Sequence, residues 1–429
     1  MSTLNVNVHH VTRVEGHGNI VVDAQNGDIK KCRFEVVEAP RFFEAFVRGR
    51  PYTELNHITS RICGICAVGH STTSAMATEK ALGVELTEQA QLLRKLNFHG
   101  ETIDSHVLHT YYLVAPDFFG AGSVIPLIDV ARPVVERALR IKKLSGDLCA
   151  MIGGRHTHPC ALVVGGFSHT PTEDELRAMR ERLVAARADM DASVELFASL
   201  EWPQFERETE YVSLTKDDEY AFVGGRIKTT DGFEYPLEDY KKVTNEKLVP
   251  FSSAKWTSHN RESYMVGALA RFNNNFDQLH PRAKDAAKAF GMEPIVTNPF
   301  LNTAAQVVEM VHCVEDAIEI IDELLERGVD PEGPAVTDVK AGEGVASCDV
   351  PRGILFHHYA YDEEGYCKDA NCIIPTNQNM ANLNHDMQEL VPQIIDKPQD
   401  EVRLTLEMLV RAYDPCISCS AHFLTVEFV

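Results

Sequence analysis

The chain has 429 residues, 44% hydrophobic and 24% charged, which excludes wholesale disorder and leaves enough apolar material for a sizeable core. Lys and Arg number 41 against 63 Asp and Glu, a formal net charge of -22. Such an acid excess speaks against a nucleic-acid or anionic-membrane surface, since both need a basic face. Along the chain, Val6, Val8 and His10 alternate with polar neighbours, and Ile20-Val-Val-Asp, the turn Asn26-Gly27-Asp28 and Arg33-Phe-Glu-Val-Val predict a β-hairpin. After Pro40 the pattern turns helical. Ala67 to Leu82 is rich in Ala, Ser and Thr, and Thr87 opens a long amphipathic stretch over 87–113. There Leu92, Leu93, Leu96, His99, Ile103, His106 and Val107 recur at helical spacing. A further long helix is expected over 172–200. The irregular, β-rich stretch 205–250, with turn signals at Gly224-Gly225 and Asp231-Gly232, reads as a surface insertion. Residues 300–328 carry one apolar stripe, Val307, Val308, Val311, Val314, Ile318 and Ile321. Strands return over 345–376, and a last helix over 400–412 runs into Asp414-Pro415, where proline stops it.

There is no fixed-period repeat and no linker between halves, so 1–429 is read as a single domain. The expected class is mainly α with peripheral β-hairpins (α+β), around a central bundle of long helices. The best apolar run, Cys160 to Phe167, falls far short of the roughly 20 residues that a spanning helix needs. The start, Met1-Ser-Thr-Leu-Asn-Val-Asn-Val, has no basic stretch, apolar core or cleavage site. A cytoplasmic protein without its own export signal is expected, with a twin-arginine signal on a partner left open. No Rossmann or Walker loop is present; Gly342-Glu-Gly344-Val-Ala-Ser lacks the third glycine and a preceding strand. If a nucleotide takes part, another subunit binds it.

An odd count of 11 cysteines in a long chain argues against a disulfide framework. Two pairs share ligand-type spacing, Cys63-Gly-Ile-Cys66 and Cys416-Ile-Ser-Cys419. Each tight turn aims two sulfurs at one point, and four thiolates suffice for a four-sulfur metal site. A zinc ribbon holds its pairs roughly 15–20 residues apart, whereas these lie at opposite ends of the chain. One shared centre would therefore be buried and span the whole fold, with a structural zinc as the plain alternative. The flanks say more. The first pair sits in Arg61-Ile-Cys63-Gly-Ile-Cys66-Ala-Val-Gly-His70 and the second in Asp414-Pro-Cys416-Ile-Ser-Cys419-Ser-Ala-His422. A structural zinc requires neither the arginine, the histidines nor the Asp-Pro.

With Thr12-Arg-Val-Glu-Gly-His17 and Val350-Pro-Arg352-Gly353, these motifs make the chain resemble the large, catalytic subunit of nickel–iron hydrogenases, over almost its whole length. The resemblance implies reversible oxidation of H2 to two protons and two electrons. It implies that Cys63 and Cys416 are terminal ligands of nickel and that Cys66 and Cys419 bridge nickel to iron. The iron would carry one CO and two CN ligands supplied by maturation factors. Arg352 matches the family arginine poised over the site, with Asp414 as its carboxylate partner; alone it would read as a salt-bridge residue. Glu15 matches the proton-relaying glutamate; without its motif it would read as a strand-end carboxylate facing water. His70 matches a histidine that hydrogen-bonds a bridging cysteine, against the plainer reading of a core histidine. Pro351 and Thr376 match positions that contact the iron's diatomic ligands. A second, hard cation, Mg2+ or Fe2+, would be held by Glu44, the backbone carbonyl of Cys372 and His422.

Two departures from the family stand out. Many members have an Asp near the arginine, and the matching residue here is Ser105, beside Asp104 and before His106. The family usually matures by endopeptidase cleavage after the position of His422, and here Phe423-Leu-Thr-Val-Glu-Phe-Val429 follows as a possible processing tail. Outside the motifs, His156-Thr-His158-Pro-Cys160 resembles a ligand cluster but has many core explanations. His357-His358 reads as strand packing and Cys313 as core. The resemblance also implies an iron–sulfur small subunit, followed by flavin/NAD(P)- or ferredoxin-linked electron-transfer subunits, as in cytoplasmic multimeric members. Neither nucleic acid nor direct membrane insertion is expected. The readings held against it are a zinc-clamped scaffold and a quinone-oxidoreductase-like core subunit without catalytic metal.

Overall fold

The computed structural model describes residues 4–25, 28–336 and 338–421. Its centre is a set of long helices. Glu88–Val107 packs against Arg132–Gly153 and Asn302–Arg327, and Glu173–Ala198 covers the other side of Asn302–Arg327. The stripe predicted over 300–328 is buried, Cys313 with it. Thr172 starts the Glu173–Ala198 helix as half of a capping box with Glu175, which satisfies two backbone donors reciprocally. The stretch read as one helix over 87–113 is α-helical only to Val107. Leu108–Val114 widens into a π-helical turn. Pro116 follows directly and cannot donate the next helical hydrogen bond.

Two long helices lie outside those expected. Arg132–Gly153 carries an apolar stripe, Val135, Ala138, Ile141, Leu144, Leu148 and Ile152, among charged residues. Pro375–Ile394 buries Asn377, Gln378, Asn379, Asn382 and Asn384 where an apolar stripe would be sought. Those amides replace apolar packing with hydrogen bonds: Gln378 Nε2 donates to the Ile354 carbonyl at 2.6 Å and Asn379 Nδ2 to that of Val266 at 3.2 Å.

At the periphery, Leu4–Val8, Gly18–Gln25 and Asp28–Val36 form an antiparallel meander that contains the predicted hairpin, while Asn26 and Gly27 of its turn lie outside the described residues. A second antiparallel meander joins Gly342–Val350, Gly353–Tyr361 and Cys367–Ile373. It lies directly on the Ala67–Leu82 helix. A Cβ on Gly344 would sit 2.2 Å from the Ala77 carbonyl, and one on Gly342 2.0 Å from that of Ala81. The Gly-Glu-Gly run is therefore a packing device, and the small residues of the facing helix serve the same contact. Only part of 205–250, expected as a surface insertion, is at the surface. Glu210–Thr215 is buried along its whole length, because it pairs with Tyr264–Met265 and Arg226–Thr229 and packs on Ala268–Asn275.

A candidate metal centre where the chain ends meet

Both cysteine pairs sit on turns that start helices. Cys63 follows a short 3-10 turn, Ser60–Ile62, and Cys66 is the N-cap of Ala67–Leu82. Cys416 is the N-cap of the short Ile417–Ser420 helix, entered through Asp414-Pro415 with Asp414 in the left-handed region at φ 47. Aspartate is one of the few side chains that tolerates that conformation. A parallel bridge between Glu15 and Cys416 brings the N-terminal motif alongside, with the Ile417 amide donating to the Glu15 carbonyl at 3.0 Å. Gly16, at φ 85, lies so close that a Cβ would be 2.7 Å from that of Ile417. The Glu-Gly-His motif thus needs its glycine to reach the second cysteine turn.

The four thiols converge in the interior. The sulfurs of Cys63, Cys416 and Cys419 lie within 4.8 Å of one another, all buried, and no other such group of three or more occurs among the described residues. Cys63 Sγ is 3.5 Å from Cys416 Sγ and accepts from the amides of Ile65 and Cys66 at 3.2 and 3.1 Å. Cys66 lies at the edge of this group, in contact with Cys63 and Cys416, its sulfur 3.4 Å from Arg352 Nη1. Hydrogen bonds from Cys416, Cys419 and Cys66 hold the Cys63 thiol well below its ordinary range. The other three are pushed up, Cys66 by its bonds with Cys416 and Cys63, Cys416 by those with Cys419 and Cys63, and Cys419 by burial. Burial and mutual crowding thus oppose several thiolates side by side, unless cations take the place of the protons. A buried all-thiol set beside a permanent guanidinium fits soft transition-metal ions and does not suit a hard one.

Around the sulfurs, Glu15 Oε2 is 3.3 Å from Cys416 Sγ and accepts the Ser418 amide at 2.9 Å. Arg352 is buried. Its Nε donates to the Asp414 carbonyl and its Nη2 to Asp414 Oδ1, both at 2.8 Å. Burial alone would lower the Arg352 pKa, but Asp414 and the neighbouring sulfurs outweigh it and hold the guanidinium well above its usual range. Ser105 Oγ is 3.3 Å from Arg352 Nη1, where a carboxylate was sought. Asp104 turns away, to Lys142, to Ser145 at 3.0 Å and to His156 at 3.1 Å. Thr376 Oγ1 accepts the Cys416 amide at 3.0 Å, and the Pro351 carbonyl accepts from Arg271 at 3.1 Å. His70 lies against His357, Nδ1 to Nε2 at 3.2 Å. Glu44 Oε1 accepts the Cys372 amide at 2.8 Å, and the amide of Arg41 donates to the Ala421 carbonyl, which brings the chain end to Glu44's neighbourhood. His422 and the tail after it lie outside the described residues. His156, His158 and Cys160 do not gather: His158 bonds the Ser60 carbonyl and Cys160 is exposed.

Three supporting residues carried no motif. Arg41 donates to the carbonyls of Arg61 and Ile62, each at 2.9 Å, and to that of Ser418 at 3.4 Å, tying both cysteine turns together. Arg271, fully buried, donates to the carbonyls of Val350 and Pro351 at 2.9 and 3.1 Å and to Glu309 and Asp349, clamping the loop that presents Arg352. Glu101 accepts the amides of Val68 and Gly69 at 2.6 and 2.8 Å. It caps from outside a helix whose own N-cap, Cys66, offers no capping side chain. Glu101 lies on the face opposite the apolar stripe of its helix, so neither it nor Arg41 nor Arg271 carried a local signal.

Residues 41–131 and 216–422 match a family profile described as nickel-dependent hydrogenase, and residues 5–39 one described as HoxL-like. The chain is 34% identical over 422 residues to the alpha chain of sulfhydrogenase 1 of Pyrococcus furiosus, covering 98% of each. It is 31% identical over 446 residues to a subunit of the F420-non-reducing hydrogenase of Methanothermobacter thermautotrophicus, covering 96% of this chain and 93% of that one. Among solved structures, an NAD+-reducing [NiFe]-hydrogenase in the H2-reduced state superposes with a TM-score of 0.87 at 26% identity, over 98% of this chain and 100% of that one. The Ni-Fe-Se hydrogenase of D. vulgaris Hildenborough, at 21% identity and a TM-score of 0.77, shares the fold.

Proposed function

The chain belongs to the nickel-dependent hydrogenase family as a large subunit that oxidises H2, and from that premise we propose how its residues divide the work. Cys63 and Cys416 would hold nickel, Cys66 and Cys419 would be shared between it and iron, and Pro351 and Thr376 would face the CO and two CN ligands of the iron. When bound, such a centre supplies the heterolytic cleavage of H2. Arg352, donating toward Cys66 from one edge of its guanidinium and held by Asp414 on the other, fixes a positive charge over the sulfurs in a water-poor setting. Glu15 Oε2, within reach of Cys416 Sγ, takes the proton from that sulfur and passes it outward, since Glu15 is only half-buried. Glu44, the Cys372 carbonyl and His422 hold Mg2+ or Fe2+ near the chain end, a reading supported by the contact between Glu44 and the Cys372 amide. His70 steadies the site through its histidine pair.

Electrons leave through an iron–sulfur small subunit. The likeness to an NAD+-reducing hydrogenase supports NAD(P), through a flavin-bearing partner, as the acceptor, with ferredoxin as the second choice. Relatives that are themselves named as hydrogenase subunits support a multisubunit assembly. The location proposed is cytoplasmic; no described helix is long and apolar enough to cross a membrane. The chain works as one domain, matures with dedicated factors, and loses the segment after His422 if an endopeptidase acts. One observation carries the reading: three buried sulfurs from opposite ends of the chain lie within 4.8 Å of one another, with Cys66 and Arg352 beside them. Elemental analysis of the purified complex should find nickel and iron near one each per large subunit, beyond the clusters of its partner, together with H2/D+ exchange. Zinc alone, without exchange, would overturn it.

A further inference from the structure

Behind Asp414 lies a buried histidine that the reaction as described does not use. His109 is 1% exposed, at the π-helical turn Leu108–Val114. Its Nδ1 is 2.5 Å from Gln306 Oε1 and its Nε2 is 2.7 Å from the Arg411 carbonyl. A carbonyl only accepts. The Gln306 amide is held this way round by the carboxylate of Asp414: its Nε2 donates to Asp414 Oδ2 at 3.0 Å, while Asp414 Oδ1 accepts from Arg352 Nη2 at 2.8 Å. Both ring nitrogens therefore face acceptors, and a neutral imidazole, which carries one N–H, would set a lone pair against one of them. A second observation agrees. The Arg411 carbonyl is in the last turn of the Gln399–Ala412 helix, whose C-terminal end favours a cation. The charged groups around the ring are Asp414, with Oδ1 3.8 Å from Nε2, and beyond it Arg352; the Arg411 guanidinium is turned to Asp117 and Glu407. The facing side chain from Asn302–Arg327 is the neutral Gln306.

We propose that His109 is held as an imidazolium and is a positioning residue. With Gln306 it keeps Asp414 aimed at Arg352, so that the carboxylate has a cation on either side. This rests on the reading of Arg352 and Asp414 as the charged pair over the sulfurs. Neutron diffraction from crystals of the assembled hydrogenase, exchanged into D2O, should show deuterons on both Nδ1 and Nε2 of His109; a single deuteron overturns the proposal. That result does not depend on turnover, so it stands apart from failure of the H2 reading, which absent exchange in the parent enzyme would reveal. The functional arm compares His109→Gln with His109→Lys. The glutamine cannot donate in both directions and should lower H2/D+ exchange by about tenfold or more at unchanged nickel content, with the lysine ammonium recovering most of it. Parental exchange in His109→Gln removes the positioning role.

Discussion

Glu15 meets the second cysteine turn twice, by its carboxylate at Cys416 Sγ and Ser418 N and by its carbonyl at Ile417 N. Only the carboxylate can carry a proton, so the two roles can be separated by substitution. Glu15→Gln keeps an acceptor for Ser418 and the backbone bridge while removing the titrating group. We expect H2/D+ exchange to fall by about 10²–10⁴-fold with nickel and iron contents unchanged. Exchange at the parental rate would show that another group relays the proton. At this scale the motifs were legible, since each cysteine, Glu15, Arg352 and Asp414 stands in a recognisable local sequence. Arg41, Arg271 and His109 were not. An arginine that binds backbone carbonyls, or a histidine between two acceptors, is defined by neighbours far away in the chain.

The long helices set the electrostatics on which those residues rest. Asn302–Arg327 carries Gln306, Glu309 and His312 on buried positions, facing Asp414, Arg271 and the Tyr220 side respectively. Burial would raise the Glu309 carboxyl, but Arg271 and His106 bring it down to about 2. His312 goes the other way: burial lowers its pKa from 6.5 to about 4, against the nearby Asp316. Its Nδ1 accepts the His280 amide at 3.1 Å, which suits the neutral ring. The unfolded chain binds a proton here that the folded chain refuses, so this group's contribution is present above about pH 6.5 and is lost as pH falls toward 4. A shift of that size is worth up to about 3 kcal/mol. In His312→Asn, whose amide oxygen can still accept from His280, denaturant midpoints should fall less steeply than the parent's between those limits. Parallel curves would show that His312 does not titrate with unfolding. Helix boundaries were readable where caps and apolar stripes write them, as at Thr172. They were not in Pro375–Ile394, where buried amides replace the stripe.

For the molecule as a whole, the metal centre is where the N-terminal meander and the last helices are joined. Besides the sulfurs, the described clasp consists of Arg13 and Arg411 on Asp117, Arg411 on the Thr12 carbonyl, Gln399 on Asn5, and the Glu15 bridge. Ligands that bind the folded chain stabilise it by mass action, and a centre joining two ends does so most at those ends. Hydrogen exchange on metal-loaded and metal-free protein should therefore differ most over 4–25, 60–70 and 399–421, and little in Glu173–Ala198. Uniform change, or none, would mean that the metal does not unite the termini.

The sequence by itself determined the donor chemistry: two Cys-x-x-Cys turns, each aiming two soft ligands at one point, flanked by the Arg, Glu and Asp-Pro that mark the family. Local patterning also determined most of the long helices, Arg132–Gly153 and Pro375–Ile394 aside, and strands of both meanders. Only the tertiary structure decided that the two turns share one buried centre, that Asp104 turns away from it to Lys142 and His156, and that Arg41, Arg271 and His109 support it. The physical reason is range. A turn or a cap is settled by residues a few positions apart, whereas the charge and direction of a buried side chain depend on partners that the chain brings together from hundreds of residues away.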